Sequence, residues 1–356
     1  EETMAADAGN GRFFTVDPLT SASFGGRISL AETSTLDSAV CALESSPALL
    51  VQALYDAGGL LYLSGLNEIS TEPGLLTRLS HLFGPEVEDY EQTLTERSKI
   101  HPEWPQILQI TNMPPSCQMP PVPPDPLLTA AGGLPVKFPH RRGWHTDQSF
   151  RRPPPDISLF YAVIPSPPGQ GQTLYADAAC AYDALPADLK ATVEALEGIH
   201  AIPGIGRAEY AVKAGETPKP LLPHQWPQRQ PVVRTHPVTG RRSLYLCEAG
   251  QMDWIDGPFV GMEPGPEGDG AELLYDLMMH ITQPKFTYVH EWSQGDLLIW
   301  DNRNLLHCAT WYDAQNHQRL MWRTTTRGNP GELYSGEGRS WLPEDDARPM
   351  AGLDND

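Results

Sequence analysis

Short strand-type runs separated by Gly and Pro turns fill the second half of this chain. They are "DISLFYAVI", "QTLYADA", "PVVRTHP", "RSLYLCE", "KFTYVHEW", "GDLLIW" and "RLMWRTTTRG". Runs of this length, rich in β-branched and aromatic residues and bounded by turn formers, specify strands. Two stretches with helical spacing, near 178–197 and 270–282, interrupt them. The pattern predicts a mainly β chain with α decorations, a sandwich or jelly roll with helices packed outside it.

The N-terminal third reads differently. "SSPALLVQALYDAG" has helical spacing with a Ser-Pro start and a Gly stop, "LLYLSG" is a short buried strand, and "EPGLLTRLSHLFG" is a second helix. "ILQITN" follows as a strand, and then "MPPSCQMPPVPPDPLLTAAGG" is too crowded with Pro for regular structure. A long loop of this kind, leading directly into residue 143, is expected to act as a lid. No linker divides the 356 residues into two domains. The expectation is one domain over 1–356: a partly loose segment 1–40, a Pro-rich insertion over 101–142, a jelly-roll core over 143–327 and a tail over 328–356.

Composition narrows the partners. A formal charge of −20 opposes nucleic-acid binding, because the field of the surface repels a polyanion. It leaves open a small-molecule substrate, whose pocket can be locally basic. No run of apolar residues is long enough for a membrane span, and "EETMAADAGNG" is not of the secretory-signal type. Five scattered Cys without a CxxC pair signal neither a zinc knuckle nor a disulfide framework, so a reducing, cytoplasmic setting is expected. A homo-oligomer, dimer or tetramer, is compatible with all of this.

Chemistry enters at "GWHTDQSF". In an extended strand His145 and Asp147 share a face, with Thr146 turned away. "WDNRNLLHCA" supplies a late His307, and "QRLMWR" places Arg319 and Arg323 four apart on one strand face. Two inward guanidinium groups are costly unless each meets an anion, and Arg is the side chain best shaped for a carboxylate. Two His and one carboxylate with an inward Arg nearby match the facial triad of non-haem Fe(II) oxygenases. The same ligands also suit a zinc hydrolase, and the barrel alone suits a non-catalytic binding protein.

Taken together, "WHTD", "GQTLYADAACAYDALP", "THPVTGRRSLYL", "WDNRNLLHCA" and "QRLMWR" resemble the taurine dioxygenase / 2,4-dichlorophenoxyacetate dioxygenase (TauD/TfdA) family. The resemblance runs from residue 143 to about residue 328 and less clearly back to "GLLYLSG". It implies a double-stranded β-helix (jelly roll) core flanked by helices. It also implies an Fe(II)- and 2-oxoglutarate-dependent dioxygenase that hydroxylates an unactivated C–H of a small organic substrate, consuming O2 and forming succinate and CO2. On that resemblance His145, Asp147 and His307 hold Fe(II), while Thr173 and Arg319 bind the far carboxylate of 2-oxoglutarate. Arg323 faces an acid group of the co-substrate or substrate, one residue further from His307 than in taurine enzymes, so the division of labour between the two Arg stays open. The carboxylate at 147 favours hydroxylation over halogenation.

Three further readings concern the substrate side. Gln148 and Arg141 are expected to line the substrate cavity, with Arg142 beside them. The acidic run "EVEDYE" reads as a solvated face, yet Glu86, Glu88 and Asp89 there argue against taurine. His140, His236, His290 and His317 are expected to be structural or exposed, and Trp144 and Trp300 to be core walls.

Overall fold

The computed structural model describes residues 12–32, 35–93, 95–121, 143–248 and 250–341. In chain order it begins with a hairpin, β1 (Phe14–Pro18) and β2 (Gly26–Leu30), then α1 (Leu36–Glu44), α2 (Ala48–Asp56), β3 (Leu60–Leu63) and α3 (Gly74–His81). Two short strands, β4 (Glu86–Val87) and β5 (Leu108–Thr111), precede β6 (Ile157–Ile164), β7 (Thr173–Asp177), α4 (Ala178–Asp183) and α5 (Ala187–Glu194). Then come β8 (Glu197–His200), α6 (Glu209–Lys213), β9 (Gln228–Pro231), β10 (Val233–Thr235), β11 (Arg242–Leu244) and α7 (Asp269–Ile281). The chain closes with β12 (Thr287–His290), β13 (Leu297–Asp301), β14 (Leu305–Ala309) and β15 (Leu320–Arg327).

These strands make two facing layers. The major sheet runs β1-β2-β3-β13-β6-β15-β4, with β5 also on β15, and the minor sheet runs β12-β7-β14. Every pair in them is antiparallel except β2 with β3. The result is a jelly-roll core with helices on both outer faces.

Period-two alternation decides which side chains go where. On β13, Leu297 and Ile299 join Val40, Leu43, Leu54 and Leu76 of the helical layer, while Leu298 and Trp300 turn to the space between the sheets. On β6, Leu159 and Tyr161 face the helices, and Phe160 and Ala162 face inward. The minor sheet does the same: Leu174, Ala176, Leu306 and Cys308 pack on α7 through Leu274, Leu277 and Met278, while Tyr175 and Leu305 face inward. Both faces of β6 and β13 are thus covered, which is why "ISLFYAVI" and "LLIW" read as continuous apolar runs rather than alternating ones.

Several expectations need adjustment. The segment 1–40, expected to be partly loose, supplies β1, β2 and the start of α1 from residue 14 onward. The hairpin escaped notice because β1 is largely exposed and lacks a buried face. "GWHTDQSF" is not a strand: His145 makes a single antiparallel bridge with His307, and a turn begins at Asp147. The Pro-rich stretch from 122 to 142, including Arg141, Arg142 and the proposed lid, lies outside the described residues, as do residues 1–11 and 342–356.

Ile299 is fully buried at the centre of the major sheet, between β3 and β6. Ile299→Ala is expected to lower stability by about 2–5 kcal/mol through lost transfer energy and a residual cavity, read as a shift in the urea midpoint without a change in slope.

Candidate functional site

All the side chains singled out on strands share the inner face. His307 follows inward Leu305 on β14, Thr173 precedes inward Tyr175 on β7, and Arg323 follows inward Met321 on β15. Arg319 stands just before β15, two residues before Met321, with its N–H held by Asn112 Oδ1 at 2.9 Å. A register shift between Leu320 and Met321 separates the two Arg positions.

The motif carrying His145 is docked on β14 by two main-chain hydrogen bonds. His145 N–H donates to His307 O at 2.9 Å, and His307 N–H donates to His145 O at 2.8 Å. Gly143 makes this approach feasible, because a Cβ there would lie 2.5 Å from Cys308 Sγ. The imidazole centroids are then 4.2 Å apart. Asp147 Oδ1 lies 3.6 Å from His145 Nε2 and 3.3 Å from His307 Nε2. One ligand atom from each of the three residues falls within 4.8 Å of the others, a spacing that one metal ion can span.

The surroundings fix these groups in their ligand forms. His145 Nδ1 donates to Gly143 O at 2.7 Å, which leaves Nε2 as the lone-pair nitrogen facing the centre. Burial, and then the neighbouring His145, push the His307 imidazole down to about 4, so it stays neutral. Burial alone would raise the Asp147 carboxyl, but the Arg323 guanidinium and His307 hold it well below the usual carboxylate range. Asp147 Oδ2 accepts from Ser158 Oγ at 2.6 Å, which leaves Oδ1 to the metal side. Asn302 in turn donates to Ser158 Oγ at 2.9 Å, and its Oδ1 accepts from the Asp147 N–H at 3.2 Å and from Trp300 Nε1 at 3.0 Å. Trp300 is therefore both the expected core wall and the anchor of this support.

From behind, two buried glutamines hold the turn that follows. Gln251 Nε2 donates to Thr146 O and to Ser149 Oγ, each at 2.8 Å. Gln230 Nε2 donates to Ser149 O at 2.9 Å and to Arg151 O at 3.0 Å. Gln148 sits inside this turn at φ +51°, a left-handed conformation that costs a non-glycine residue of order 1–3 kcal/mol and so depends on such support.

The two Arg differ sharply. Arg323 Nη1 lies 3.3 Å from Asp147 Oδ1. Arg319 is buried, yet among the described residues no carboxylate lies within ion-pair distance, and its Nε has no partner. Among the described residues its guanidinium lies over aromatic faces, at 5.4 Å from the Tyr312 centroid and 6.0 Å from that of Phe160. Burial pushes it down to about 10. Phe160 leads on to Trp292, centroids 5.3 Å apart, and Trp292 Nε1 donates to Thr173 Oγ1 at 2.9 Å. A hydroxyl that already accepts still has its own proton to give. A buried cation without a carboxylate partner among the described residues and a hydroxyl with a proton to give, joined by one aromatic wall, have the chemistry to bind an anion.

On the other side of Asp147 the acidic run overturns its reading as a solvated face. Glu88 is buried and accepts from Gln148 Nε2 at 3.1 Å, while Arg151 and Arg327 pair with it. Burial alone would raise the Glu88 carboxyl, but Arg151 and Arg327 hold it low. Glu86 pairs at the surface with Arg339, Asp89 caps the turn after it and Glu91 is exposed beside Arg97, so these three match the expectation. His236 and His290 are buried against Asp301 and Asp296, as structural histidines.

Ser158, Asn302, Gln230, Gln251, Arg151 and Arg327 were missed by sequence reasoning. Ser158 carried a signal, as the lone polar residue in the apolar run "ISLFYAVI". Asn302 was hidden inside the turn "DNRN", and the two glutamines come from distant segments with no pattern of their own.

Ser158→Ala removes the hydrogen bond that orients Asp147 and is expected to weaken metal binding roughly 10–100-fold, as outer-shell losses do, in a Mn(II) titration read by electron paramagnetic resonance. A second expectation concerns His200, which is buried against Ser149 at 2.6 Å and which burial pushes from 6.5 down to about 3. The unfolded chain binds this proton first, so the stability held above 6.5 is lost as pH falls toward about 3. His200→Asn should flatten that acid limb in urea midpoints measured from neutral pH downward.

With this geometry in place, comparison with known proteins is informative. The family profile "Taurine catabolism dioxygenase TauD, TfdA family" matches residues 16–325. The "Alpha-ketoglutarate-dependent 2,4-dichlorophenoxyacetate dioxygenase" of Burkholderia sp. (strain RASC) is 36% identical over 203 residues, covering 56% of this chain and 62% of the relative. The "(S)-phenoxypropionate/alpha-ketoglutarate-dioxygenase" of Sphingobium herbicidovorans is 36% identical over 193 residues, covering 53% of this chain and 63% of the relative. The match thus spans about three-fifths of the length of these curated relatives. Among solved structures, AAD-2 in complex with Mn(II) and N-oxalylglycine superposes with a TM-score of 0.59 at 27% identity, covering 89% of this chain and 98% of that one. The chain belongs to the TauD/TfdA family.

Proposed function

We propose that this protein is an Fe(II)- and 2-oxoglutarate-dependent dioxygenase that hydroxylates an unactivated C–H of a small organic acid. The observation that carries the reading is Arg319, a buried guanidinium without a carboxylate among the described residues, over the inward-facing ring of Phe160 in the space between the sheets that His307 also faces. A zinc hydrolase using those ligands, or a barrel without turnover, has no work for such a cation. A dicarboxylic co-substrate does, because isolated buried charge is costly and a bidentate carboxylate match is favourable.

His145 and His307 would hold Fe(II) through Nε2, and Asp147 through Oδ1. Together with 2-oxoglutarate the metal supplies O2 activation, one oxygen atom going to succinate as CO2 leaves and the other to the substrate. Arg319 and the Thr173 hydroxyl would seat the far carboxylate of 2-oxoglutarate and so orient its keto-acid end. Once Asp147 serves the metal, Arg323 loses part of its partner and faces the cavity as a cation for an acid group of the substrate. Gln148, tied to Glu88 and Arg151, would line the same side. The acids in the names of the two sequence relatives fit this reading.

Such a role calls for a small-molecule partner and neither nucleic acid nor membrane. Among the described residues no helix is long and apolar enough to cross a membrane. A cytoplasmic setting and a dimer or tetramer remain part of the proposal.

Fe(II) plus 2-oxoglutarate without oxygen should give the weak lilac absorption of the chelate, and its absence in folded protein would remove the reading. Arg319→Met should keep metal binding and raise the 2-oxoglutarate concentration needed for that band by roughly 30-fold or more, equivalent to about 2 kcal/mol. Unchanged 2-oxoglutarate affinity would take the co-substrate seat away from Arg319.

A further inference from the structure

A second cavity, of about 660 Å³, lies outside the candidate centre, between the β10–β11 hairpin and the segment that follows β15. Val233, Arg234 and Val238 line one side of it, and Pro330, Leu333 and Tyr334 the other. None of His145, Asp147, His307, Thr173, Arg319 and Arg323 contributes to its walls. Its volume falls within the roughly 300–1,000 Å³ typical of small-molecule sites.

The cation in its wall has no counter-charge. Five arginines are buried among the described residues. Arg207 pairs with Asp253, Arg303 with Asp301 and Arg327 with Glu88. Arg319 has no carboxylate within ion-pair distance among those residues, and Arg234, at 2% exposure, is the other such case. Arg234 Nη2 donates to Pro330 O at 3.1 Å, while its Nη1 has no partner. Its guanidinium lies 5.0 Å from the Tyr245 centroid and 5.2 Å from that of Tyr334. Aromatic faces ease the burial of a cation but do not neutralise it. A carboxylate completes such a group best, through charge and hydrogen bond together. The mouth is apolar, with Val238 exposed at 55% and Leu333 at 52%. Glu332 also stands there, exposed, where solvent screens its charge.

Both sides of the cavity are anchored on one buried ion pair. His236 Nδ1 accepts from the N–H groups of Val238 and Thr239, each at 3.1 Å, so Nε2 carries the proton and donates to Asp301 Oδ2 at 2.9 Å. Arg303, paired with the same Asp301, donates from Nη1 to Asn329 O at 2.8 Å, next to Pro330. The walls are thus set before a ligand arrives, which lowers the ordering cost of binding. We propose that this cavity binds a small monocarboxylic acid with an apolar body, its carboxylate on Arg234 and its body against Val233, Val238 and Leu333. The site is distinct from the acid group proposed at Arg323, and it stands without the dioxygenase reading.

The test is a calorimetric titration of octanoate into the whole chain, repeated in Arg319→Met and in Arg323→Met so that each candidate anion position of the centre is removed in turn. One saturable site should remain in both variants. Octanamide has the same body without the charge and should bind that site at least about tenfold more weakly. Val238→Asp puts a negative charge at an exposed position of the mouth and should weaken octanoate to a similar degree. Arg234→Gln should abolish the site; should that variant not fold, octanamide and Val238→Asp decide. No saturable octanoate binding in the wild type overturns the proposal. So does loss of the site in Arg319→Met or Arg323→Met, equal affinity for octanoate and octanamide, or unchanged affinity in Val238→Asp. The lilac chelate reports separately on Fe(II) and 2-oxoglutarate, so each of these failures leaves the dioxygenase reading standing.

Discussion

Two reciprocal main-chain hydrogen bonds between His145 and His307 hold together segments more than a hundred residues apart in sequence, and the candidate centre depends on them. They fix the separation of the two imidazoles before any metal arrives. They also set the starting point of the turn that swings Asp147 back toward both rings. The turn is not self-supporting, since Gln148 adopts a left-handed backbone, and the amides of Gln230 and Gln251 hold it from the interior side. Backbone pairing on one side and side-chain amides on the other give the three ligands a rigid seat.

Electrostatics organises the rest of the inner face. Arg319, just before β15, and Arg323 and Arg327 on it follow one another at four-residue intervals, the first and last buried and Arg323 half-buried, in a chain of net charge −20. The three guanidiniums are handled differently. Arg327 is answered internally by Glu88, Arg323 shares Asp147 with the candidate metal, and Arg319 is answered by nothing among the described residues. Because a buried charge is tolerated only with a partner, this graded satisfaction runs from a closed end at Arg327 to an end at Arg319 that the anion of the proposed function would complete. Glu88 is central here, since it pairs with two cations, Arg151 and Arg327, and holds Gln148 in place.

Much of the arrangement was legible in the strand patterns. Once β6, β7, β13, β14 and β15 are strands, alternation alone turns Thr173, His307 and Arg323 to one side, because their neighbours two residues away are apolar and inward. The lone Ser158 in a doubly covered strand could have been read the same way. His145 and Asp147 were paired for a reason that does not hold, since they converge through one bridge and a turn rather than along a strand. Glu88 was misread because an acidic run looks the same in sequence whether water or arginine answers it. Its two partners lie more than sixty and more than two hundred residues away.

The sequence by itself determined the strand periodicity, the residue types able to ligate a metal or bind a carboxylate, and the placement of Thr173, His307 and Arg323 on the inner faces of their strands. These are local properties, set by backbone geometry and side-chain chemistry within a few residues. Tertiary structure alone decided which of those residues meet and which charges find partners. Both outcomes depend on register between distant strands and on burial that no single segment carries.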